Sequence, residues 1–136
     1  MIPKLLQAIE SEALHAAVSE HLEQTHEHGP RLEAVFRALD AEPSSNLSPP
    51  FEKLAQHHDE LAGSIPDHRL ADVFHAAAAA ATEHLELASY DALLALADSV
   101  DVGDARSLLE RNRDEEADAL KRVQSELERL AAELRD

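Results

Sequence analysis

The chain has no cysteine and no tryptophan, only three glycines among 136 residues, and 3% aromatic side chains. Without cysteine there are no disulfides, thiolate metal sites or cysteine nucleophiles. Basic residues are also scarce: 12 Lys and Arg stand against 28 Asp and Glu, a formal net charge of −16. That balance argues against grip on a phosphate backbone, so no nucleic acid is expected as a partner. No apolar stretch approaches the roughly 18–20 residues of a membrane span, since the run Ala76–Ala81 ends after six residues. The opening MIPKLLQAIESE reaches Glu10 and Glu12 too early for a secretory leader. A soluble, cytoplasmic protein is the expectation. There is also no phosphate-cradling glycine loop and no G-x-S-x-G nucleophile elbow, which leaves little support for a hydrolase or transferase.

What is abundant is helix vocabulary. Alanine supplies 25 residues and leucine 21, whereas Val, Ile and Thr together supply 11. Such a composition favours helices over strands. The breaks predict a short helix over Pro3–Glu10 and a long one capped by Ser11 and running to Asp40. A loop follows over Ala41–Pro50, then a short helix over Phe51–Ala62 stopped by Gly63. Two further long helices cover His68–Asp98 and Asp104–Leu134. Gly29-Pro30 falls inside the second helix, where a proline removes one backbone bond and predicts a kink or local bulge. Three long helices of matched length predict an all-α, antiparallel helical bundle forming one domain over residues 1–136.

The informative residues are polar ones that interrupt apolar stripes. On the last helix the stripe is Leu109, Asn112, Glu116, Leu120, Val123, Leu127, Leu130 and Leu134, so Glu116 points inward. A lone buried carboxylate is costly unless paired, protonated or bound to a metal. On the preceding helix Glu83, Glu86 and Tyr90 share one face with Ala76, Ala79, Leu94 and Ala97. On the second helix His21 and His28 lie on the stripe of Leu14, Val18, Leu32 and Val35. Three helices thus bring Glu and His toward a common interior, which is how bundles build iron and manganese sites. A metal-free network also suits these residues, with His21, His28, Tyr90 and Asn112 satisfying the glutamates. The remaining histidines read as less informative: His57-His58 as a solvated face, His15 and His26 as solvent-facing, His84 as facing a neighbouring helix or subunit. His68 and Asp72 have an H-x-x-x-D spacing but no partner motif. Arg111, Arg113, Asp114 and Glu115 read as surface ion pairs.

Three stretches are similar to the YciE/YciF-type ferritin-like family of bacterial stress-associated proteins. Residues 14–39 resemble its H-L-E-x-T pattern followed by R-L and V-F. Residues 81–98 resemble its E-H-x-E-x-A-x-Y segment, and residues 108–120 its L-L followed by D-E-E. The resemblance implies a ferritin-like four-helix bundle, a homodimer and a non-haem metal centre of the di-iron type. It places ligands at Glu83, Glu86 and Glu116, with Glu115 as neighbour. The chain also departs from the pattern. The family's first helix is longer and bears a ligand-type Glu that has no counterpart here, as Met1 falls about halfway along it. Gln24 replaces an acid, and Leu120 stands one turn after Glu116 where a polar ligand is expected. Two functional expectations follow. The first is a stress-associated protein with a reduced metal site of Glu83, Glu86, Glu116, His28 and His21, binding iron or manganese; with an open position on iron, oxidation of Fe(II) by oxygen or peroxide is the reaction class. The second is a metal-free bundle acting as a structural or interaction module.

Overall fold

The computed structural model describes residues 2–44 and 48–135, and among these there are five helices and no strand. They are α1 (Ile2–Ala8), α2 (Glu12–Ala38), α3 (Pro49–Ala62), α4 (His68–Ala97) and α5 (Ala105–Glu133). Their ends follow local chemistry. Ser11 caps α2, its Oγ accepting from the Leu14 N–H at 3.3 Å, and Asp67 caps α4 by accepting from the Leu70 N–H at 3.0 Å. Pro49 and Pro50 occupy the first turn of α3, where a missing N–H costs nothing, so this helix starts two residues earlier than its periodicity predicts. Of the expected loop, residues 41–44 and Ser48 are non-helical, and 45–47 lie outside the described residues. Between α4 and α5, Gly103 takes φ 51°, a left-handed conformation that a side chain would strain.

Contacts between named residues fix the helix directions. His84 meets Gln124, Asp91 meets Arg113 and Asp98 meets Arg106, so α4 and α5 are antiparallel. Ser11 meets Arg129, Gln24 meets Arg122 and His28 meets Glu115, so α2 and α5 are antiparallel as well. Helices α2 and α4 must then be parallel, and His21–Glu83 and His28–Tyr90 are in matching register. Parallel helices joined in sequence need a connection that travels back along the bundle, and residues 39–67, with α3, supply it. This single crossover is the topology of ferritin-like bundles.

The interior has three zones along the bundle axis. At one end Leu5, Leu14, Val18, Ala76, Ala79, Val123 and Leu130 form an apolar cluster. At the other end Val35, Tyr90, Ala97, Val102, Ala105 and Leu109 form a second. Alanine at four buried α4 positions (76, 79, 80 and 97) leaves little side chain between the helices. Each fully buried leucine stabilises the fold by about 1.5–3 kcal/mol. Between the two clusters lies a polar layer, and the apolar ends hold its residues in place.

Candidate metal centre

The polar layer is built from α2, α4 and α5. Helical spacing puts Glu83 and Glu86 on one face of α4, Glu116 on the facing side of α5, and His21 on the inward stripe of α2. One ligand-type atom from each of His21, Glu83, Glu86 and Glu116 lies within 4.8 Å of those of the other three. His21 Nε2 is 3.2 Å from Glu83 Oε2 and 3.3 Å from Glu116 Oε2. These approaches lack hydrogen-bond alignment, and Glu83 Oε2, Glu116 Oε2 and His21 Nδ1 are buried without a hydrogen-bond partner. Buried carboxylate oxygens normally find a partner. Three converging carboxylates, two of them with an unpartnered oxygen, and one imidazole form a donor set that suits a hard or borderline divalent cation.

The electrostatics reflect this crowding. Burial pushes the Glu86 carboxyl up to about 7, with the Glu116 charge adding to the effect. Burial also raises Glu116, and Glu83 reinforces the shift while the contact with His28 opposes it. For His21, burial works against protonation, but the contact with Glu83 and the charges of Glu116 and Glu86 outweigh it and raise the imidazole above its usual value. Three carboxylates and no fixed cation share this pocket, so protons or a metal ion must neutralise it.

His28 stands outside the converging set. Its Nδ1 lies 2.9 Å from Glu116 Oε1 and its Nε2 2.9 Å from Glu115 Oε2. Glu115 also accepts from Arg31 at 2.7 Å and from Arg111 at 3.2 Å. Burial opposes ionisation of Glu115, but Arg31, His28 and Arg111 overcome it and hold the carboxyl down at about 2. Arg31 continues to Asn112 Oδ1 at 2.9 Å, and the fully buried Asn112 donates to Tyr90 Oη at 3.1 Å. The polar layer therefore has an inner part in which two carboxylate oxygens lack partners and an outer part that is satisfied by hydrogen bonds.

Other sequence expectations fare differently. Glu115 belongs to this half-buried network rather than to a surface ion pair, because Arg31 reaches it from α2. Gln24 accepts from Arg122 at 3.1 Å and is not among the converging residues, while Leu120 is buried among apolar neighbours. His15, His26 and His57 are exposed. His84 is exposed and contacts Gln124 of α5 at 3.3 Å. His58 is not on a solvated face: it is buried, with Nε2 2.9 Å from Nδ1 of the equally buried His75 and its ring stacked on Phe74. The sequence reading missed His75, and Asp72 acts as a tether by accepting from the Glu10 and Ser11 N–H groups at 3.0 and 2.7 Å. His68, its H-x-x-x-D mate, is exposed and faces Glu10.

Comparison with known proteins agrees with this architecture. A family model described as Domain of unknown function (DUF892) matches residues 1–134. Protein YciF of Escherichia coli (strain K12) is 32% identical over 119 residues, which span 85% of this chain and 70% of that protein. The crystal structure of the E. coli stress protein YciF superimposes with a TM-score of 0.89 at 26% identity, covering 96% of this chain and 83% of that one. YcfI, a candidate structural protein from Rhodopseudomonas palustris, superimposes with a TM-score of 0.86 at 32% identity, covering 90% and 78%. Among the described residues no helix is long and apolar enough to cross a membrane. In fold, helix order and sequence the chain belongs to the YciF-type family, the Domain of unknown function (DUF892).

Proposed function

We propose that this protein binds a non-haem metal ion, iron or manganese, in the bundle interior and serves a stress response as a cytoplasmic, ferritin-like homodimer. The observation that carries the metal reading is the convergence of His21, Glu83, Glu86 and Glu116, with two carboxylate oxygens buried and unpartnered. These four residues would hold the ion, and His28 would orient Glu116 through Nδ1. Outer partners of this kind fix a ligand's direction and raise metal affinity. A bound iron ion would supply one-electron exchange with oxygen or peroxide. The protein supplies the negative charge, the imidazole and an interior flanked by apolar clusters. The link to stress rests on the name of YciF as a stress protein.

The test is elemental analysis by mass spectrometry of protein purified without affinity tag or chelator, beside Glu116→Ala. The expected result is iron or manganese at stoichiometric level in the native chain and loss of it in the variant. Well under a tenth of an ion per chain, even after anaerobic Fe(II) addition, would overturn the metal reading. That outcome would favour a structural or interaction module instead, a reading supported by the self-satisfied network of His28, Glu115, Arg31, Asn112 and Tyr90. The description of YcfI as a candidate structural protein points the same way. The homodimer is tested by light scattering at micromolar concentration, where a mass of one chain would contradict it.

A further inference from the structure

The seam between α3 and α4 holds a second group of ligand-type side chains, apart from the polar layer and outside the three stretches that resemble the YciE/YciF-type family. His58 of α3 and His75 of α4 are 4% and 3% exposed, so both imidazoles are withdrawn from water. His58 Nε2 and His75 Nδ1 face each other at 2.9 Å, a gap that one shared proton bridges. On the other side of the His58 ring, Nδ1 is buried without an aligned hydrogen-bond partner, and Asp59 Oδ1 stands 3.5 Å from it. A proton on Nδ1, turned toward Asp59, leaves the lone pair of Nε2 directed at His75. A carboxylate behind the far nitrogen is how metal-binding histidines are commonly set in tautomer and orientation. Phe74 fixes the plane of the same ring, stacking on it with centroids 5.5 Å apart. Beside His58 lies a cavity of about 200 Å³, walled by Leu54, Phe74, Ala78 and the exposed His57, which gives an ion a way in from the surface.

The spacing selects the kind of ion. Imidazole nitrogens bind a divalent first-row ion at about 2.0–2.1 Å. Two such bonds to nitrogens 2.9 Å apart enclose about 90°, the angle between neighbouring ligands of a square-planar or tetragonal ion and narrower than a tetrahedral one. Nitrogen donors in that geometry suit Cu(II) or Ni(II). The interior cluster has the opposite character, with three carboxylates and one imidazole.

We propose that His58 Nε2 and His75 Nδ1 form a separate metal site for a tetragonal divalent cation such as Cu(II), which pins the crossover helix α3 to α4 while water completes the coordination. The site stands on residues other than those of the interior centre and does not depend on a metal being bound there.

The experiment is Cu(II) titration of the chelator-stripped full chain, read by electron spin echo modulation, which counts the imidazoles on a Cu(II) ion through their remote nitrogens. The native chain is expected to show a Cu(II) ion carrying two imidazoles, whereas the interior cluster offers only His21. His58→Gln and His75→Gln should each abolish the two-imidazole signal, with circular dichroism confirming the fold; if one fails to fold, the other makes the comparison. Asp59→Asn should keep that signal and bind more weakly, by less than loss of either histidine. Glu116→Ala, which removes a carboxylate of the interior centre, should leave the signal unchanged. Absence of a two-imidazole signal in the native chain would overturn the proposal. So would its survival in folded His58→Gln or His75→Gln, which would assign it to surface histidines. Its loss in Glu116→Ala would place the ion in the interior and overturn the proposal as well.

Discussion

His28 Nδ1 stands 2.9 Å from Glu116 Oε1, and this contact joins the unsatisfied inner part of the polar layer to its satisfied outer part. Glu116 is almost wholly buried, so the direction of its carboxylate is set by what it touches rather than by water. One oxygen is committed to His28, which leaves the other, Oε2, facing His21 with no hydrogen-bond partner. The imidazole thus acts as a brace for a ligand-type residue.

That relationship predicts the phenotype of His28→Ala. Losing an outer-shell partner typically weakens metal affinity by about 10–100-fold without removing a ligand. A calorimetric titration of the chelator-stripped variant should show weaker binding in that range and an unchanged number of ions per chain. His21→Ala, which deletes a member of the converging set, should lose more. Equal losses in the two variants would mean that the distinction between brace and ligand is wrong.

Metal binding should also depend on pH in a defined direction. Glu86 is pushed up to about 7 by burial and by the Glu116 charge, so its carboxyl is largely protonated at pH 6 and largely ionised at pH 8. His21, raised above its ordinary value, also holds a proton that competes with a metal. Binding must displace these protons, so affinity should rise from pH 6 to pH 8 and proton release should be measurable in buffers of different ionisation enthalpy. A pH-independent affinity would show that the ion sits away from Glu86 and His21.

The helices and the polar stripe were legible in the sequence because both depend on local spacing. Ser11, Gly63 and Gly103 mark boundaries through their own backbone chemistry, and His21, Glu83, Glu86 and Glu116 stand out because they break apolar stripes. The environment of His58 was not legible in the same way. Helix α3 is short, and which of its faces is buried depends on where it docks against α4. The usable signal was the i, i+4 pair Leu54 and His58, which is the same argument that singled out His21 and His28. His75 lies three residues after Asp72 and eight before Glu83, on a helix with several buried positions, so periodicity alone marked it weakly. Arg31 escaped notice because a long side chain at a stripe's edge gives no sign of which acid it will reach on another helix.

The His58–His75 pair predicts acid sensitivity where α3 packs on α4. Burial lowers the His75 pKa, the His58 charge lowers it further, and the Asp72 charge opposes them less strongly. Asp59 Oδ1 is the other acid at this seam, 3.5 Å from His58 Nδ1 and paired with Lys4 of α1. The unfolded chain takes up a proton at His75 near pH 6.5, whereas the native chain resists until a lower pH. Stability from this residue is therefore present above pH 6.5 and is lost as pH falls through and below that value. His21 and His28, both raised, contribute in the opposite direction, so the effect is read as a difference. In chelator, the drop in melting temperature from pH 7.5 to 5.5 should be larger for the native chain than for His75→Gln. An equal or smaller drop would contradict this assignment.

Pro30 is the position where local chemistry opposes the fold most directly. Helix α2 runs without a break from Glu12 to Ala38, with Pro30 inside it. A proline at this point gives no N–H to the His26 carbonyl, and its ring crowds the preceding turn. The neighbouring Gly29 eases part of that conflict, because a residue with Cβ before proline is pushed away from helical angles. Both residues are exposed, and neither belongs to the apolar clusters, so the cost is not recovered by packing. Pro30→Ala restores the backbone donor and removes the ring, against a loss of about 0.4–1 kcal/mol from the freer unfolded chain. The net expectation is a gain of about 1–2 kcal/mol in unfolding free energy, measured by urea denaturation with an unchanged m-value. An unchanged or lower stability would mean that a bend at Pro30 is required to seat His28 between Glu115 and Glu116. The same variant would then show weakened metal binding, as His28→Ala should.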